Sequence, residues 1–484
     1  MSGRGHSGTV IAMTVTVFFG LSPAELLALA AAVVLVPARW LPPGARRPST
    51  WAGAAALAVS ATVLAVLGIR WQLIPVLAGG AIALAFAVPS LLRRPARRAR
   101  WWLALPGSAA CLALVLAGAA AAWALPRPVF PEPSGAHAVG TTVVQWTDPE
   151  RAETATARAD DRRTVVVQLW YPGQRDPAAR RAWYLGRTAR EARLVARGQA
   201  GYLGLPGFVL DEAAHARTRS VPDAPVASGG GRFPVVLFSP GLGGVRTQNT
   251  AWAEELASRG YVVAALDHPY DSAVVTLADG RTIRTRVAST GDQAEDDRRA
   301  AGWTAVRAAD LGFVLTQLGR LDRGEIPGLL AGRLDLRRAA ATGHSLGGAA
   351  ALQAARQDPR FAAVIDIDGF PRDPAPRPFG QPVLALTHDV RPGEEPDYLS
   401  RLTRVLQLST ATSYRLTVPG SAHLTFTDAP LFLPPLPALV GSLGRTAGPR
   451  ITAAATVAFL DAALRGGSGD LAATLSRYGH LTVL

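Results

Sequence analysis

A serine hydroxyl attacks a carbonyl only when a base takes its proton, and one short stretch of this chain is built for that exchange. Thr342-Gly343-His344-Ser345-Leu346-Gly347-Gly348 follows an expected strand, Arg338 to Thr342, and precedes small helix formers. A strand, a sharp bend and a helix would lift Ser345 Oγ clear of a sheet, and Gly347, Gly348, Ala349 and Ala350 are small enough to permit the bend. The N-terminus of the following helix favours negative charge developing beside it. The chemistry implied is attack by serine on a carbonyl.

The base should be a histidine held by a carboxylate, and with this kind of bend the chain order is serine, acid, histidine. Downstream lie His388, His423 and His480. His423 sits in Val418-Pro419-Gly420-Ser421-Ala422-His423, a loop after the last expected strand, which is where the base belongs; His388 is immediately beyond a strand and His480 is near the C-terminus. For the acid, Asp368 ends Val364-Ile365-Asp366-Ile367-Asp368, and Asp389 follows Leu386-Thr387-His388. Asp366 and Asp368 share one strand face, so periodicity does not separate them. Many hydrolases with this bend carry the acid after the later strand, which favours Asp389. Residue pattern alone leaves the choice open. Two backbone N–H groups should hold the oxyanion: Leu346, just after the nucleophile, and Leu242 in Pro240-Gly241-Leu242-Gly243-Gly244. No lysine follows that loop, so it is not a phosphate loop. This chemistry calls for no metal and no cofactor.

The elements that must carry these groups alternate. Thr141 to Trp146 and Thr164 to Tyr171 read as strands, as do the fully apolar runs Phe233 to Ser239 and Tyr261 to Asp267. Later strands fit Phe361 to Asp366, Pro382 to Leu386 and Tyr414 to Val418. Helices fit Trp252 to Ser258, Asp296 to Leu318, Leu346 to Arg356, Asp397 to Leu408 and Ile451 to Leu464. Short apolar strands between helices imply a parallel sheet covered on both faces, with ligands at the carboxyl ends of its strands. The segment from Gly173 to Gly231 fits this rhythm poorly and reads either as a surface helix pair or as a cap over the pocket.

The chain has 484 residues, 49% hydrophobic and 18% charged, a formal charge of +14, no lysine and one cysteine. One cysteine excludes an internal disulfide and any thiolate metal centre. Residues 1 to 130 hold eleven arginines against Glu25, a net +10, which leaves +4 for the rest and argues against a nucleic-acid surface. Pro48 to Ile69, Trp71 to Leu92 and Trp101 to Leu125 are apolar stretches of 22 to 25 residues, enough to cross ~30 Å of hydrocarbon. A further span is expected from about Ala24 to Trp40, with the short apolar run Val10 to Leu21 as an interfacial turn before it. Arg39, Arg46 and Arg47 flank one loop and Arg93, Arg94, Arg97, Arg98 and Arg100 another, against Arg70 between them. Basic loops stay in the cytoplasm, so the chain after the last span should lie outside. Pro126 to Pro133 then reads as an extended spacer. The expected domains are a membrane bundle at 1–126, a linker at 127–139 and a catalytic domain at 140–484.

F-P-V-V-L-F-S-P-G-L-G-G-V-R-T from Phe233, L-A-S-R-G-Y-V-V-A-A-L-D-H from Leu256, G-H-S-L-G-G-A from Gly343, R-F-A-A-V-I-D-I-D from Arg360 and P-G-S-A-H from Pro419 resemble the plasma and intracellular type II platelet-activating factor acetylhydrolases. The resemblance runs from about Val144 to Phe426. It implies an α/β-hydrolase fold with a mostly parallel sheet, here preceded by about four transmembrane helices, and a triad of Ser345, Asp368 and His423, since the family's spacing from nucleophile to acid selects Asp368. It implies hydrolysis of carboxylic esters, with short or oxidised acyl groups of phospholipids as substrates. The family lacks an N-terminal multispan bundle, so it is the apolar stretches and arginine-rich loops of this chain that make a multi-pass protein of the plasma membrane the expectation. Pro240, Leu346 and Gly369-Phe370 replace a histidine, a phenylalanine and a tryptophan of the family, which implies an altered acyl pocket. Rival readings are an acyltransferase using the same acyl-enzyme and a non-catalytic membrane sensor with a hydrolase shell.

Overall fold

The computed structural model describes residues 21–92, 101–229, 231–287, 290, 292–390 and 397–484, and divides into two compact units, Met1–Pro126 and Arg127–Leu484. Residues 10–20 of the expected interfacial turn and the arginines at 93, 94, 97, 98 and 100 lie outside the described residues.

In the first unit α1 (Pro23–Ala38), α2 (Pro43–Leu67), α3 (Ile74–Leu92) and α4 (Trp101–Ala124) enclose an apolar core that includes Ala28, Leu35, Leu57, Leu64, Val76 and Val115. Among the described residues, three helical stretches are long and apolar enough to cross a membrane: Pro43–Leu67, Trp71–Val88 and Ala104–Ala124. α1 has 16 residues, about 24 Å of helix, which is short of the ~30 Å hydrocarbon core. A capping box starts α1: Ser22 N–H donates to Glu25 Oε2 at 2.6 Å, and Glu25 N–H to Ser22 Oγ at 3.4 Å. Glu25 also meets Arg70 at 3.5 Å with both side chains buried. The single basic residue between the second and third apolar stretches is therefore neutralised by the single acid of this unit.

Among the described residues, the second unit is built on ten strands in one sheet. In chain order the strands are β1 (Ala138–Ala152), β2 (Arg162–Gly173), β3 (Val221–Pro222), β4 (Phe233–Ser239), β5 (Val262–Asp267), the separate hairpin β6 (Val274–Thr276) and β7 (Thr282–Arg284), then β8 (Leu334–His344), β9 (Phe361–Ile367), β10 (Val383–Thr387), β11 (Ser413–Thr417) and β12 (His480–Val483). The sheet order is β12-β11-β10-β9-β8-β4-β5-β2-β1-β3, and the run from β11 to β5 is parallel. β1 and β2 are antiparallel because the nine residues between them can only reverse the chain, and β2 meets β5 antiparallel.

Alternation along each strand sends side chains to opposite faces. Val235, Leu237, Ala264, Ala339 and Ala341 pack against α8 (Gln293–Asp322) and α9 (Leu346–Gln357), while Val236, Phe238, Ala340 and Ile365 pack against α7 (Thr250–Ser258) and α12 (Gly444–Arg465). With both faces dry, every residue of β4 and β5 is buried, which is why these strands read as unbroken apolar runs.

The segment between β2 and β4 holds α5 (Ala189–Tyr202) and α6 (Asp211–His215), and its apolar side joins Phe130 of the proline-rich stretch, Val245 and Leu431 in a core of its own. The proline-rich stretch is therefore no free spacer, because Phe130 is only 1% exposed and Arg219 donates to its carbonyl at 2.7 and 2.9 Å. Glu254 of α7 anchors the returning chain through the N–H groups of Arg219 and Ser220, at 2.8 and 2.6 Å. Burial pushes the Glu254 carboxyl up to about 7, and its Oε2 has no hydrogen-bond partner among the described residues. A carboxyl held above its unfolded value favours folding at low pH, and that advantage is lost as the pH rises through 7. Glu254→Gln keeps the acceptor and removes the charge, so it should be more stable than the wild type at about pH 8.5 by on the order of 1–3 kcal/mol and melt correspondingly higher, with the gap closing at about pH 5. Thermal melts of the full chain in detergent at the two pH values check this.

Candidate active site

Two glycines force the bend at Ser345. A Cβ on Gly343 would lie 2.2 Å from the Gly347 carbonyl oxygen, and one on Gly347 would lie 1.9 Å from that of Ser239. With the chain this tight, Ser345 takes φ 56° and ψ −123°, a strained conformation that lifts its side chain off the end of β8. His423 begins a short 3-10 turn, His423–Phe426, beyond β11. Its Nε2 lies 2.9 Å from Ser345 Oγ and its Nδ1 lies 2.7 Å from Asp368 Oδ2.

Asp368 is one residue past the end of β9, where φ of 55° turns the carboxylate out of the strand direction. Besides His423 it receives the main-chain N–H of His388 at 2.9 Å, the His388 ring Nδ1 at 2.9 Å and the Tyr398 hydroxyl at 3.1 Å. Burial pushes this carboxyl up, but hydrogen bonds from His388 and His423 outweigh it and hold Asp368 below the ordinary carboxylate range. Asp368 is thus an anion at neutral pH, which suits the orienting partner of an imidazole. Its neighbour Asp366 stays in the strand beneath the bend, accepts the Gly369 N–H at 2.9 Å, and is pushed well up by burial and by Asp368.

The remaining candidates lie apart from the serine. Asp389 is exposed and accepts the Gly420 N–H at 3.3 Å, so it braces the loop that carries His423 without touching the ring. His480 is exposed on β12 opposite Thr417. His388, expected only as a histidine immediately beyond a strand, shares the carboxylate of Asp368 with His423, through a contact that leaves no mark in the local sequence. Asp368, His388 and His423 bring ligand atoms within 4.8 Å of one another, and the N–H···O bonds just described hold that cluster together.

Leu242 and Leu346 line one cavity of about 380 Å³ with Ser345, His423, Trp303 and Phe370. A polar scaffold fixes the Leu242 peptide. The buried guanidinium of Arg307, paired with Asp271 at 2.6 and 2.7 Å, donates to the Gly241 carbonyl at 3.1 Å and also to that of Pro240. Carbonyl and N–H of one trans peptide point in opposite directions. With the Gly241 oxygen drawn toward Arg307, the Leu242 N–H points away from it. Beside Leu242 lies a second cavity of about 140 Å³, lined by Tyr202 and Leu210 of the segment between β2 and β4 and by Leu424, Phe432 and Leu433.

Sequence reasoning also missed a second serine–histidine–aspartate arrangement. Ser239 Oγ lies 2.9 Å from His268 Nε2, and His268 Nδ1 lies 2.7 Å from Asp310, which also receives Arg163 at 2.6 Å. All three members are fully buried, so no ester can reach this serine. The network ties the ends of β4 and β5 to α8 beneath the glycine-rich loop.

The family model described as "Platelet-activating factor acetylhydrolase, isoform II" matches residues 124–293 and 322–466. A protein of Arthroderma benhamiae, "Probable 1-alkyl-2-acetylglycerophosphocholine esterase", is 29% identical over 212 residues, 42% of this chain and 50% of that one. "Platelet-activating factor acetylhydrolase" of Cavia porcellus is 26% identical over 219 residues, 42% of this chain and 49% of that one. The chain thus spans about half the length of these two relatives. Among solved structures, "Ferulic acid esterase from Streptomyces cinnamoneus" superposes with a TM-score of 0.59 at 29% identity, covering 73% of this chain and 98% of that one.

Proposed function

Because the chain belongs to the platelet-activating factor acetylhydrolase isoform II family, we propose that it hydrolyses carboxylic esters with Ser345 as nucleophile, His423 as base and Asp368 as orienting acid. The observation that carries this reading is the unbroken chain from Ser345 Oγ through His423 to Asp368, at 2.9 and 2.7 Å. Ser345 Oγ attacks the carbonyl carbon while His423 Nε2 takes its proton. The oxyanion so formed is held by the Leu242 and Leu346 N–H groups. The intermediate collapses, the C–O bond to the leaving alcohol breaks, and that alkoxide receives the proton from His423. Water, deprotonated in turn by His423, then releases the acid and restores Ser345. No metal or cofactor enters these steps.

The substrates we propose are esters with short or oxidised acyl groups, phospholipids among them. The family supports this reading, and Leu242, Leu346 and Phe370 give the cleft beside Ser345 apolar lining suited to an acyl group. The segment between β2 and β4 acts as a cap over the smaller cavity beside Leu242. We further propose a multi-pass protein of the plasma membrane, with a bundle at 1–126, a junction at 127–139 and a catalytic domain at 140–484 on the outer side. The arginine excess at 39, 46 and 47 and from 93 to 100 supports that orientation.

Full-length protein assayed on phosphatidylcholines with 2-acetyl, 2-butanoyl and 2-palmitoyl groups, and on a feruloyl ester, tests the substrate class. Turnover should fall by about tenfold or more from acetyl to palmitoyl, since each misplaced group costs on the order of 1–3 kcal/mol. Equal rates across the acyl series would refute the short-acyl reading. Release of free acid even with excess alcohol present separates hydrolysis from acyl transfer.

A further inference from the structure

The loop that carries Leu242 and the loop that carries His423 are joined by three consecutive side-chain hydrogen bonds. The Gly241 N–H donates to Gln248 Oε1 at 2.7 Å. With that oxygen taken, Gln248 turns Nε2 toward His344 Nδ1, 3.3 Å away. An amide nitrogen only donates, so His344 Nδ1 must be the bare ring nitrogen and Nε2 must carry the proton. His344 Nε2 lies 2.9 Å from the main-chain carbonyl oxygen of His423, which only accepts. The polarity of each bond is thus dictated by the one before it.

We infer that Gln248 and His344 are positioning residues that hold the oxyanion loop and the base-bearing loop in one register, with His344 obliged to stay neutral in its Nε2–H form. The inference rests on the ester-hydrolase reading. It assigns work to the second residue of the G-H-S-L-G stretch and to a glutamine 97 positions before Ser345. The peptide between Pro240 and Gly241 is pinned from both sides, its carbonyl by Arg307 and its N–H by Gln248, and the next peptide carries the Leu242 N–H. A shift of Gln248 therefore moves the oxyanion donor, and a shift of His344 moves the His423 main chain.

The surroundings agree with a neutral ring. His344 is 1% exposed, and its ring centroid is 4.6 Å from that of His423. Burial, with His423 adding to it, pushes His344 down to about 3. The groups facing His344 among the described residues are His423 beyond β11, Asp368 beyond β9 and Gln248 ahead of α7. Those around Gln248 are Tyr184 and Tyr202 of the segment between β2 and β4, Arg307 through the Pro240 and Gly241 carbonyls, and Asp428, whose N–H donates to the Gln248 carbonyl at 3.0 Å.

Gln248→Glu in the full chain tests this. A carboxylate still accepts the Gly241 N–H, but its second oxygen now faces His344 Nδ1 where a donor stood. Only a doubly protonated His344 then satisfies both the carboxylate and the His423 carbonyl. That state exists at low pH and is lost as the pH rises, so the variant should work near pH 6 and fall about 10- to 100-fold below the wild type by about pH 9, with KM nearly unchanged. Gln248→Met removes both bonds without charge and should lower kcat about tenfold at every pH. Wild-type kcat and pH profile in Gln248→Met overturns the inference, also where Gln248→Glu proves unfolded by its melt. Nitrogen-15 shifts of His344 in the wild-type chain give a reading independent of turnover: a protonated Nδ1 at neutral pH overturns the relay even if esters are cleaved. Wild-type protein that cleaves no ester but shows a bare Nδ1 overturns the ester-hydrolase reading and leaves the hydrogen-bond chain standing.

Discussion

Ser345→Ala should lower kcat for a short-chain aryl ester by about 10⁵- to 10⁶-fold, with KM little changed, because the serine makes its decisive interaction only as the new bond forms. What remains should be at most ~10³ to 10⁴-fold over the uncatalysed reaction, supplied by the oxyanion donors and by binding. The structure explains why this loss would report chemistry and not misfolding. Alanine meets the same strain at φ 56° as serine does, so the bend is no worse off. The Ser345 hydroxyl is bonded to His423, whose side chain is 46% exposed, so water takes the vacated position and no buried group is left unpaired. Melting temperature should therefore match the wild type within a degree or two. Undiminished turnover in this variant would remove the nucleophile from the mechanism, and loss of fluorophosphonate labelling in it would fix Ser345 as the modified residue.

The parts of this site that announce themselves in the sequence are those set by local geometry. Gly343 and Gly347 are needed because backbone oxygens crowd them, and the apolar run ahead of them is buried on both faces. His423 is legible because it follows a strand of the parallel run, where loops gather at one edge of the sheet. The acid is not legible in the same way. Asp366 and Asp368 have the same periodicity, and what separates them is a single positive φ after the strand has ended. Family spacing, and not pattern, pointed to Asp368. Side-chain partners are harder still: Gln248 and His344 are 96 residues apart, and His388 and His423 meet through a shared carboxylate, so neither pairing has a local signature. The C-terminal strand β12 was not anticipated either, since four half-exposed residues become a strand only by pairing with the edge strand β11.

Asp368→Asn should lower kcat by about 10⁴-fold, as loss of the orienting carboxylate does in serine triads generally, whereas Asp389→Asn should stay within about threefold of the wild type. The contrast follows from what each oxygen holds. Asp368 Oδ1 accepts the His388 main-chain N–H and the Tyr398 hydroxyl, so an asparagine there keeps its carbonyl oxygen on that side. Its NH₂ then faces His423 Nδ1, where Oδ2 had accepted the ring N–H at 2.7 Å. An amide nitrogen cannot accept, so His423 must offer Nδ1 as a lone pair and carry its proton on Nε2. That nitrogen lies 2.9 Å from Ser345 Oγ, and once protonated it can no longer take the hydroxyl proton. The fold survives while the base is held in the wrong tautomer, so the defect appears in kcat and not in the melt. Asp389 faces solvent and makes one long bond to the Gly420 N–H, which an asparagine oxygen replaces. A larger loss in Asp389→Asn than in Asp368→Asn would mean that the base turns to the other carboxylate during turnover, and the proposed triad would have to be redrawn around it.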